Sequence, residues 1–456
     1  MSDLWTSREA MAATGGTTLG DWRASGVSID SRSLVPGDLF VALVVERDGH
    51  AYVADALAKG AAAAVVARPV EGIDRDRQLL VDDTQRALEH LARAARERSA
   101  ADVIGITGSV GKTGCKAALA RGLALQGATH ASGKSHNNHW GVPLSLAQLP
   151  ATARFGVFEL GMSRAGEIRS LAAQVRPHGA LITAIAPAHI EFFADESGIA
   201  EAKAEIFEGV RPEGFAVVPA DSPHTPLLVA RARAAGIQRI VTFGEAGDVR
   251  ALAVEPDADG SRVEVDLAGR RLSMRVGLPG EHWAHNALGL LAVVDTLGAD
   301  VEAFALSLAD LESEAGRGRR VSIRLADGEA LLLDDSYNAN PTSMRAAISV
   351  LAMARGRKLA ALGAMKELGA DSQARHAELA APLVEADVAR VFTVGAEMAA
   401  LETALPATLR GGHVDRAADL VQPLRAELRP GDTLLVKGSL ASGMGFLVDS
   451  LMARAA

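Results

Sequence analysis

Cysteine is almost absent from this chain, because Cys115 is the only one among 456 residues. A single cysteine excludes an intrachain disulfide and any zinc site built from cysteines. No run of about 18 apolar residues occurs, and the first residues lack the charged-then-apolar pattern of a leader peptide. We therefore expect a cytoplasmic protein without stable membrane insertion.

Clustered positive charge is also absent. The formal net charge is −9, and no long basic run interrupts the sequence. Nucleic-acid binding needs a Lys/Arg surface that neutralises phosphates, so we expect no nucleic-acid partner. Hydrophobic residues make up 48% and charged residues 23%, which is the balance of a globular protein. At roughly 150 residues per domain, the length predicts about three domains.

The hydrophobic pattern divides the chain into three blocks, which we take as domains: 1–84, 85–312 and 313–456. The first contains short apolar runs broken by Gly and Pro, and a charged amphipathic helix over 84–98 leads out of it. Strands and helix-length segments alternate in the other two blocks, which favours parallel sheets covered on both faces. The predicted fold class is α/β: a small N-terminal α/β domain, a central P-loop parallel-sheet domain with an antiparallel extension, and a Rossmann-like C-terminal domain.

The candidate strands of the two larger domains are short apolar runs with helix-length spacing. They lie at 103–106, 157–160, 180–185 and 216–218, then at 330–333, 359–362, 391–394 and 433–436. Over 249–276 the apolar period changes to two, and Asp259-Gly260 and Ala268-Gly269 supply turn residues. This pattern predicts an antiparallel hairpin that extends the central sheet.

A glycine-rich loop follows the first strand of the central domain and opens a helix. In that context backbone N–H groups wrap a phosphate, Lys112 reaches the β- and γ-phosphates, and the Thr113 hydroxyl binds Mg²⁺. The strict P-loop pattern has glycine at position 106, where this chain has Ile106. An incidental turn with a surface lysine is the competing interpretation. The residues expected at the ATP phosphates are Thr107, Gly108, Ser109, Val110, Gly111, Lys112 and Thr113.

Three further residues are candidates for the same centre. Glu159 ends an apolar strand, where α/β sheets present ligands to a site, and a carboxylate there suits a metal contact beside Thr113. His189 follows the strand at 180–185, and Lys203 lies in a helical run between Glu201 and Glu205. A helix-capping carboxylate, a structural loop histidine and a solvated helix face are the alternatives for these three residues.

Together these segments resemble the Mur ligases of bacterial peptidoglycan synthesis, and the similarity runs through almost the whole chain. The string Asp-Asp-Ser-Tyr-Asn-Ala-Asn-Pro at 334–341 is the most diagnostic, because it resembles the branch that adds D-alanyl-D-alanine. The other matching segments are 4–6, 12–16, 30–32, 36–43, 107–113, 137–138, 141–143, 159–161, 187–191, 202–207, 282–288, 318–319 and 436–439.

The resemblance implies an ATP-dependent ligase that joins D-alanyl-D-alanine to UDP-N-acetylmuramoyl-tripeptide through an acyl phosphate, acting as a monomer. The three domains would hold the UDP-sugar, ATP and the incoming amine respectively. Lys112, Lys203 and His189 would be catalytic. Two Mg²⁺ ions are implied, one on Thr113 and Glu159 and the other on His189 and a carbamylated Lys203.

Contacts to ATP and substrate also follow from the resemblance. Asn286 would contact the adenine, while Arg319 and Asp335 would lie near the ATP phosphates and ribose. The residues implied in substrate binding are Ser31 and Arg32 at the UDP end, and Asn137, Asn138, Asn338 and Asn340 at the peptidyl and amine substrates.

The chain departs from its relatives at several of these segments. Gly114-Cys115 stands where a Thr-Thr pair is common, and His139 stands where an acidic residue is usual. Trp283 replaces an asparagine next to the adenine contact. Leu440 occupies a segment that lacks the expected arginine, which weakens the inference of substrate contacts in the C-terminal domain.

Three other functions compete with the D-alanyl-D-alanine ligase. A Mur ligase that adds a diamino acid would carry a D-N-P-R-type string, which is absent here. A binding protein with a decayed active site is disfavoured by the joint presence of Lys112, Thr113, Glu159, His189 and Lys203. A plain P-loop ATPase gives no reason for the Asn-rich motif at 334–341.

Overall fold

The computed structural model describes residues 3–133 and 135–453. Residues 1–2 of the predicted first domain, residue 134 of the second and residues 454–456 of the third lie outside the described residues. The strands of the described part form one sheet of nine strands, one of six, one of four and one of two. These sheets confirm the predicted α/β class. The exact domain boundaries after residues 84 and 312 stay a prediction.

The N-terminal part is built around a parallel sheet of four strands in the order β3-β4-β5-β6, beside the antiparallel pair β1-β2. Apolar clusters cover both faces of the four-stranded sheet. Its elements are β1 (Trp5–Thr6), α1 (Ser7–Thr14), β2 (Arg23–Ala24), β3 (Gly26–Ser28), β4 (Asp38–Val41), α2 (Val53–Ala58), β5 (Ala63–Val66), β6 (Gln78–Leu80) and α3 (Thr84–Arg98).

Helix α3 begins and ends where the sequence predicts. Asp83 caps its first turn by accepting a hydrogen bond from the backbone N–H of Arg86. The apolar stripe Leu88, Leu91 and Ala95 is fully buried in a cluster shared with the N-terminal sheet. Helix α3 therefore packs the N-terminal sheet against the central part of the chain.

Arg96 on α3 is a buried cation that supports the end of another helix. Its Nε donates to the carbonyl of Val175 at 2.7 Å and a terminal nitrogen donates to the carbonyl of Arg176 at 2.9 Å, while burial lowers its pKa to about 10.

We expect Arg96→Ala to lower the free energy of unfolding by about 3 kcal/mol, because two buried carbonyls lose their donor and a cavity remains. Urea denaturation measures this loss. Arg93→Ala, on the exposed face of the same helix, is the control and should change stability by less than about 0.5 kcal/mol; equal losses in both variants would contradict the assignment.

The central part contains the nine-stranded sheet, in the order β15-β14-β13-β12-β11-β10-β7-β9-β8. The strands from β8 to β12 run parallel, and two apolar clusters cover the two faces. Its elements are β7 (Asp102–Thr107), α4 (Lys112–Ala124), β8 (Thr129–Ala131), α5 (Gly141–Ala147), β9 (Phe155–Glu159), α6 (Glu167–Val175), β10 (Gly179–Ile182), α7 (Glu196–Ala204), β11 (Phe215–Pro219), α8 (Thr225–Ala234), β12 (Arg239–Phe243), β13 (Val249–Asp257), β14 (Gly260–Leu267), β15 (Arg270–Val276), α9 (Glu281–Leu297) and α10 (Val301–Ser307).

Strand β7 lies at the point where the order of the sheet reverses. After β7 the chain first builds β8 and β9 on one side, and then β10, β11 and β12 on the other. Its neighbours β9 and β10 end beside it, since Ile106 pairs with Glu159 and Thr107 pairs with Ile182. The loops after these three strands therefore converge at one edge of the sheet, which is where α/β proteins bind ligands.

The antiparallel extension is larger than predicted. The sequence predicted a hairpin over 249–276, whereas the structure has three strands, β13, β14 and β15, joined by turns at the two predicted positions. The prediction also omitted the parallel strands β8 and β12. Strand β10 ends at Ile182 rather than at 185, because the chain turns there towards the phosphate loop.

The C-terminal part has a six-stranded sheet in the order β16-β17-β21-β18-β19-β20, in which only the edge strand β16 is antiparallel. The four predicted strands are confirmed as β17, β18, β19 and β21, and the edge strands β16 and β20 were missed. The elements are β16 (Arg319–Leu325), β17 (Gly328–Asp335), α11 (Pro341–Ala352), β18 (Lys358–Gly363), α12 (Ser372–Ala377), α13 (Ala380–Glu385), β19 (Arg390–Val394), α14 (Ala399–Ala404), β20 (Arg410–Val414), α15 (Val421–Glu427), β21 (Thr433–Lys437) and α16 (Met444–Met452). Among the described residues, no helix is both long and apolar enough to cross a bilayer.

Candidate active site between the central and C-terminal sheets

A cavity of about 1140 Å³ lies between the central and C-terminal parts, and we call it the interdomain cavity. Its central wall includes the phosphate loop from Ser109 to Thr113 and the end of β9 at Glu159. Its C-terminal wall includes Asp335 at the end of β17. Two sheets thus present their carboxyl ends to one space.

The phosphate loop is fixed in place by the segment after β10. The Thr183 hydroxyl donates to the carbonyl of Val110 at 2.6 Å, and the Ser109 hydroxyl donates to the carbonyl of Ala186 at 2.8 Å. A Cβ on Gly108 would lie 2.0 Å from the Thr183 hydroxyl oxygen, so only glycine fits this close approach. Thr107 is fully buried beneath the loop and does not face the cavity.

Lys112 lies at the start of α4 and lines the cavity. Its Nζ donates to the carbonyl of Gly108 at 2.7 Å, which folds the side chain back over the loop. Burial lowers the pKa of Lys112, and the charge of Glu159 opposes this shift. The ammonium is therefore held where loop-bound phosphates would lie.

Glu159, Thr113 and Asn137 form one hydrogen-bonded group. The Thr113 hydroxyl donates to Glu159 Oε2 at 2.8 Å, and the Asn137 amide donates to Oε1 at 2.8 Å. Glu159 is nearly fully buried in the wall of the cavity. A hydroxyl and a carboxylate oxygen side by side are the hard ligands that Mg²⁺ prefers, so this pair fits the predicted first ion.

His189 connects the two walls of the cavity. It adopts a left-handed backbone conformation with φ of 60°, and its Nδ1 makes a short contact with Glu367 Oε2 from the C-terminal part. Burial lowers the pKa of His189, the Glu367 carboxylate raises it, and Lys112 and Lys203 lower it. The three predicted catalytic residues are thus brought together within range of one another's charge.

Lys203 is buried at the end of α7, with 2% of its surface exposed. Within residues 3–133 and 135–453, its ammonium has no hydrogen-bond or ion-pair partner. Burial lowers the pKa of Lys203 well below its ordinary value, and the charge of Lys112 lowers it further. Such an amine is neutral and nucleophilic at a pH where an exposed lysine is charged.

On the nucleotide side, the structure distinguishes two neighbouring arginines. Arg319, the predicted contact, points away from the cavity and pairs with Asp334 at 3.3 Å. Arg317 lines the cavity instead, stacks over the ring of Tyr337 with its Cζ 4.2 Å from the ring centroid, and its charge lowers the pKa values of Lys112 and Asp335.

The other two predicted nucleotide residues do line the cavity. Asn286 on α9 holds its amide against the loop, about 3.1 Å from where a Cβ of Gly111 would be. Asp335 pairs with Lys437 at 2.7 Å; burial raises the pKa of Asp335, and Lys437 opposes that shift.

Of the four asparagines predicted to bind substrate, all line the interdomain cavity, but two also have a structural role. Asn138 accepts a hydrogen bond from the backbone N–H of Gly141 at the start of α5. Asn340 caps α11 by accepting from the backbone N–H of Ser343 at 2.9 Å. Asn338 is exposed, and its carbonyl accepts from Lys437 Nζ at 2.8 Å. The side chains of Asn137 and Asn338 are engaged as well, since Asn137 donates to Glu159 and Asn338 Oδ1 accepts from the backbone N–H of Ala339.

Ser31 and Arg32 lie elsewhere, in a second cavity of about 650 Å³ on the N-terminal sheet. Arg32 is exposed and makes a bidentate pair with Asp30, at 2.9 and 2.6 Å. The central part contributes Trp140 and Gln148 to this cavity. The predicted UDP end and the predicted ATP end are therefore separate spaces on opposite sides of the segment 136–140.

Sequence reasoning missed Arg317 and Glu367. Glu367 follows β18, and residues that follow the carboxyl end of a parallel strand are candidates for a site on position alone. Arg317 precedes β16, an edge strand that was itself missed, so no comparable signal marked it.

Among the described residues there is no cluster of three His, Cys, Asp or Glu that could hold a metal ion. The predicted ligand sets instead mix these types with Thr113 and Lys203.

Comparisons with known proteins agree with this architecture. Residues 106–294 match the Mur ligase middle domain, and residues 316–440 match the Mur ligase glutamate ligase domain. A UDP-N-acetylmuramoyl-tripeptide–D-alanyl-D-alanine ligase of Rickettsia prowazekii is 32% identical over 98% of this chain and 99% of its own length. The enzyme of that name from Escherichia coli is 36% identical over 94% of each chain.

Solved structures give the same result. A crystal structure of MurF from Acinetobacter baumannii superposes with a TM-score of 0.85 at 32% identity, covering 98% of both chains. MurF ligase from Thermotoga maritima in complex with ADP superposes with a TM-score of 0.77 at 28% identity, covering 94% of this chain and 97% of that one.

Proposed function

Since this chain belongs to the Mur ligase family, we propose that it joins D-alanyl-D-alanine to UDP-N-acetylmuramoyl-tripeptide with ATP, releasing ADP and phosphate. The observation that carries the proposal is the interdomain cavity. The phosphate loop with Lys112, the buried carboxylate of Glu159 and the ring of His189 face residues of the 334–341 motif across it.

The reaction needs an activated carboxylate, because a free carboxylate is a poor acyl donor. The terminal carboxylate of the tripeptide attacks the γ-phosphorus, ADP leaves, and an acyl phosphate forms. The amine of D-alanyl-D-alanine then attacks the carbonyl carbon, and phosphate leaves from the tetrahedral intermediate. The loop N–H groups and Lys112 offset the repulsion between the carboxylate and the triphosphate.

The central wall of the cavity serves phosphoryl transfer, and the C-terminal wall serves the attack of the amine. Thr113 and Glu159 would hold one Mg²⁺, while His189 and a carbamylated Lys203 would hold a second; bound metal supplies charge that offsets the triphosphate. The motif residues Asn338 and Asp335 face this centre from the other wall. Holding acyl phosphate and amine in one enclosed space can supply about 7–11 kcal/mol of the barrier reduction.

A phosphate-release assay tests the function directly. Purified protein, ATP and Mg²⁺ should release phosphate only when UDP-N-acetylmuramoyl-tripeptide and D-alanyl-D-alanine are both present. Turnover with the dipeptide nucleotide and a diamino acid would instead assign the earlier ligase step. ATP hydrolysis that ignores D-alanyl-D-alanine would support a plain ATPase, and no turnover at all would support a decayed enzyme.

Glu367 gives a further prediction for this reaction. Because its carboxylate holds Nδ1 of His189, which lines the cavity, it orients the ring and leaves the other nitrogen for a metal ion. We expect Glu367→Ala to lower kcat about 10–100-fold and to raise the Mg²⁺ concentration needed for half-maximal rate. Glu367→Gln, which keeps an acceptor oxygen, should lose less.

The control for that series is Glu397→Ala, which removes a carboxylate that pairs with Lys366 on the neighbouring surface. It should leave the Mg²⁺ titration of the ligation rate unchanged. An unchanged titration in Glu367→Ala would show that the contact with His189 has no part in the reaction.

The monomeric state and the cytoplasmic location stay predictions. Light scattering after gel filtration tests the monomeric state.

A further inference from the structure

Gly114 and Trp283 meet at the first turn of α4. A Cβ built on Gly114 would lie 2.6 Å from Cη2 and 3.0 Å from Cζ2 of the Trp283 ring. Real Cβ atoms do not approach ring carbons this closely, so the ring rests on backbone that only glycine leaves open. Gly114 and Trp283 are far apart in the sequence and each departs from the family pattern, but in the structure they form one contact.

The indole lies between a packed core and the interdomain cavity. Trp283 packs against the apolar cluster of the central sheet, and it also lines the cavity. It precedes Asn286 by three residues on α9, so both side chains lie on one face of that helix. The ring is therefore next to the phosphate loop, on the side formed by α9.

The path of a nucleotide from the loop can be deduced from charge. The phosphates belong on the loop, and the γ-phosphate must face Glu159 and the predicted ions. The nucleoside then extends away from Glu159, along α9. Near α9 the lining includes the apolar residues Ala251, Val254, Pro279 and Leu288, together with polar side chains such as Glu281 and His285. A flat apolar ring is the part of a nucleotide that suits such a wall and an indole face.

We propose that Trp283 stacks on the adenine base of ATP and that the absence of a side chain on Gly114 makes room for its ring. The proposal rests on the proposed ATP site. Stacking on an aromatic face contributes to affinity for the base without contacting the phosphates, whereas the loop contacts the phosphates without the base. The two contributions can therefore be measured separately.

Direct binding of two probes makes that separation. ADP carries the base, and inorganic tripolyphosphate carries only the phosphates. By calorimetry, Trp283→Ala should weaken ADP binding roughly 10–100-fold and leave tripolyphosphate binding unchanged. Trp283→Phe keeps an aromatic face and should stay within about three-fold of the parent protein for both probes.

Fluorescence gives a signature that a purely structural role would not produce. ADP should quench part of the tryptophan emission, and this quench should vanish in Trp283→Phe. The control is Trp22→Phe, because Trp22 is buried in the N-terminal core and should leave the quench intact. Equal weakening of ADP and tripolyphosphate in Trp283→Ala, or a quench that survives in Trp283→Phe, would overturn the proposal.

A double-mutant cycle tests the role of Gly114. Gly114→Ala should weaken ADP binding about ten-fold in the parent protein, because the new Cβ displaces the ring, and should have no such effect in Trp283→Ala. Gly445→Ala is the matched control: it lies in the first turn of α16, and its Cβ would meet only the Ser336 hydroxyl oxygen at 3.8 Å. Additive effects of Gly114→Ala and Trp283→Ala would show that the two residues act independently.

Binding of the two probes to the parent protein also distinguishes this proposal from the proposed function. If ADP and tripolyphosphate both fail to bind the parent protein, the ATP site itself is wrong. If both probes bind and the variants behave as described, stacking by Trp283 holds whichever amine the enzyme uses.

Discussion

Replacing Lys112 by alanine is expected to lower the ligation rate about 1000-fold or more while leaving the fold intact. The Lys112 ammonium lies over the phosphate loop, and the other cavity-lining cation whose charge acts on this position is Arg317. Removing a positioned charge from a site that stabilises a transferring phosphoryl group costs this much in comparable systems. Phosphate release under saturating substrates measures the loss, and thermal unfolding checks the fold.

Two variants separate the charge from its contacts. Lys112→Met keeps most of the side-chain volume and should be as inactive as Lys112→Ala. Lys358→Ala is the matched control, since Lys358 Nζ also donates to one main-chain carbonyl, that of Ala386 at 2.9 Å, but lies outside the cavity. Lys358→Ala should keep normal turnover, and near-normal turnover in Lys112→Met would remove Lys112 from the mechanism.

Most of the sheet architecture follows from local pattern. Helix α3 and strands such as β7 and β21 are fully apolar on their buried side, so period and length suffice to find them. Strands β8 and β20 were missed because they are short edge strands of mixed polarity and partial burial. Their position depends on the neighbouring strand rather than on their own residues.

The site was predictable to the extent that its residues follow strands. Glu159 and the phosphate loop end β9 and β7, and the topology of a parallel sheet brings them together. The pairing of His189 with Glu367 joins residues 178 positions apart, in loops that follow strands of two different sheets. That contact, and the contact of Gly114 with Trp283, depend on how α9 and the C-terminal sheet pack, which no local pattern encodes.

Lys203 gives the second large prediction, because its surroundings disfavour an ammonium. Burial already lowers the pKa of Lys203, and Lys112 places a like charge nearby. Reaction of the neutral amine with CO₂ forms an N–C bond, releases one proton and leaves a carbamate anion. The anion attracts Lys112 where the ammonium repelled it, and its oxygens suit a metal ion beside His189.

We therefore expect ligation to depend on dissolved CO₂. Enzyme depleted of bicarbonate should lose most of its activity and regain it when bicarbonate is added. Activity should fall as pH drops through the lowered pKa of the free amine, because protonation of the nitrogen reverses the carbamate reaction. A ¹³C resonance from labelled bicarbonate should appear in the parent protein and be absent from Lys203→Met.

Chemical rescue tests the role of the carbamate itself. Lys203→Ala should lose ligation about 1000-fold, and a small carboxylate such as acetate should restore part of it by occupying the vacated space with an anion. Lys203→Met, which leaves less space, should not be rescued. An active metal-bound enzyme with a bare ammonium at Lys203, or activity independent of bicarbonate, would contradict the carbamate. The predicted metal ligands Thr113 and Glu159 would not be affected by that result.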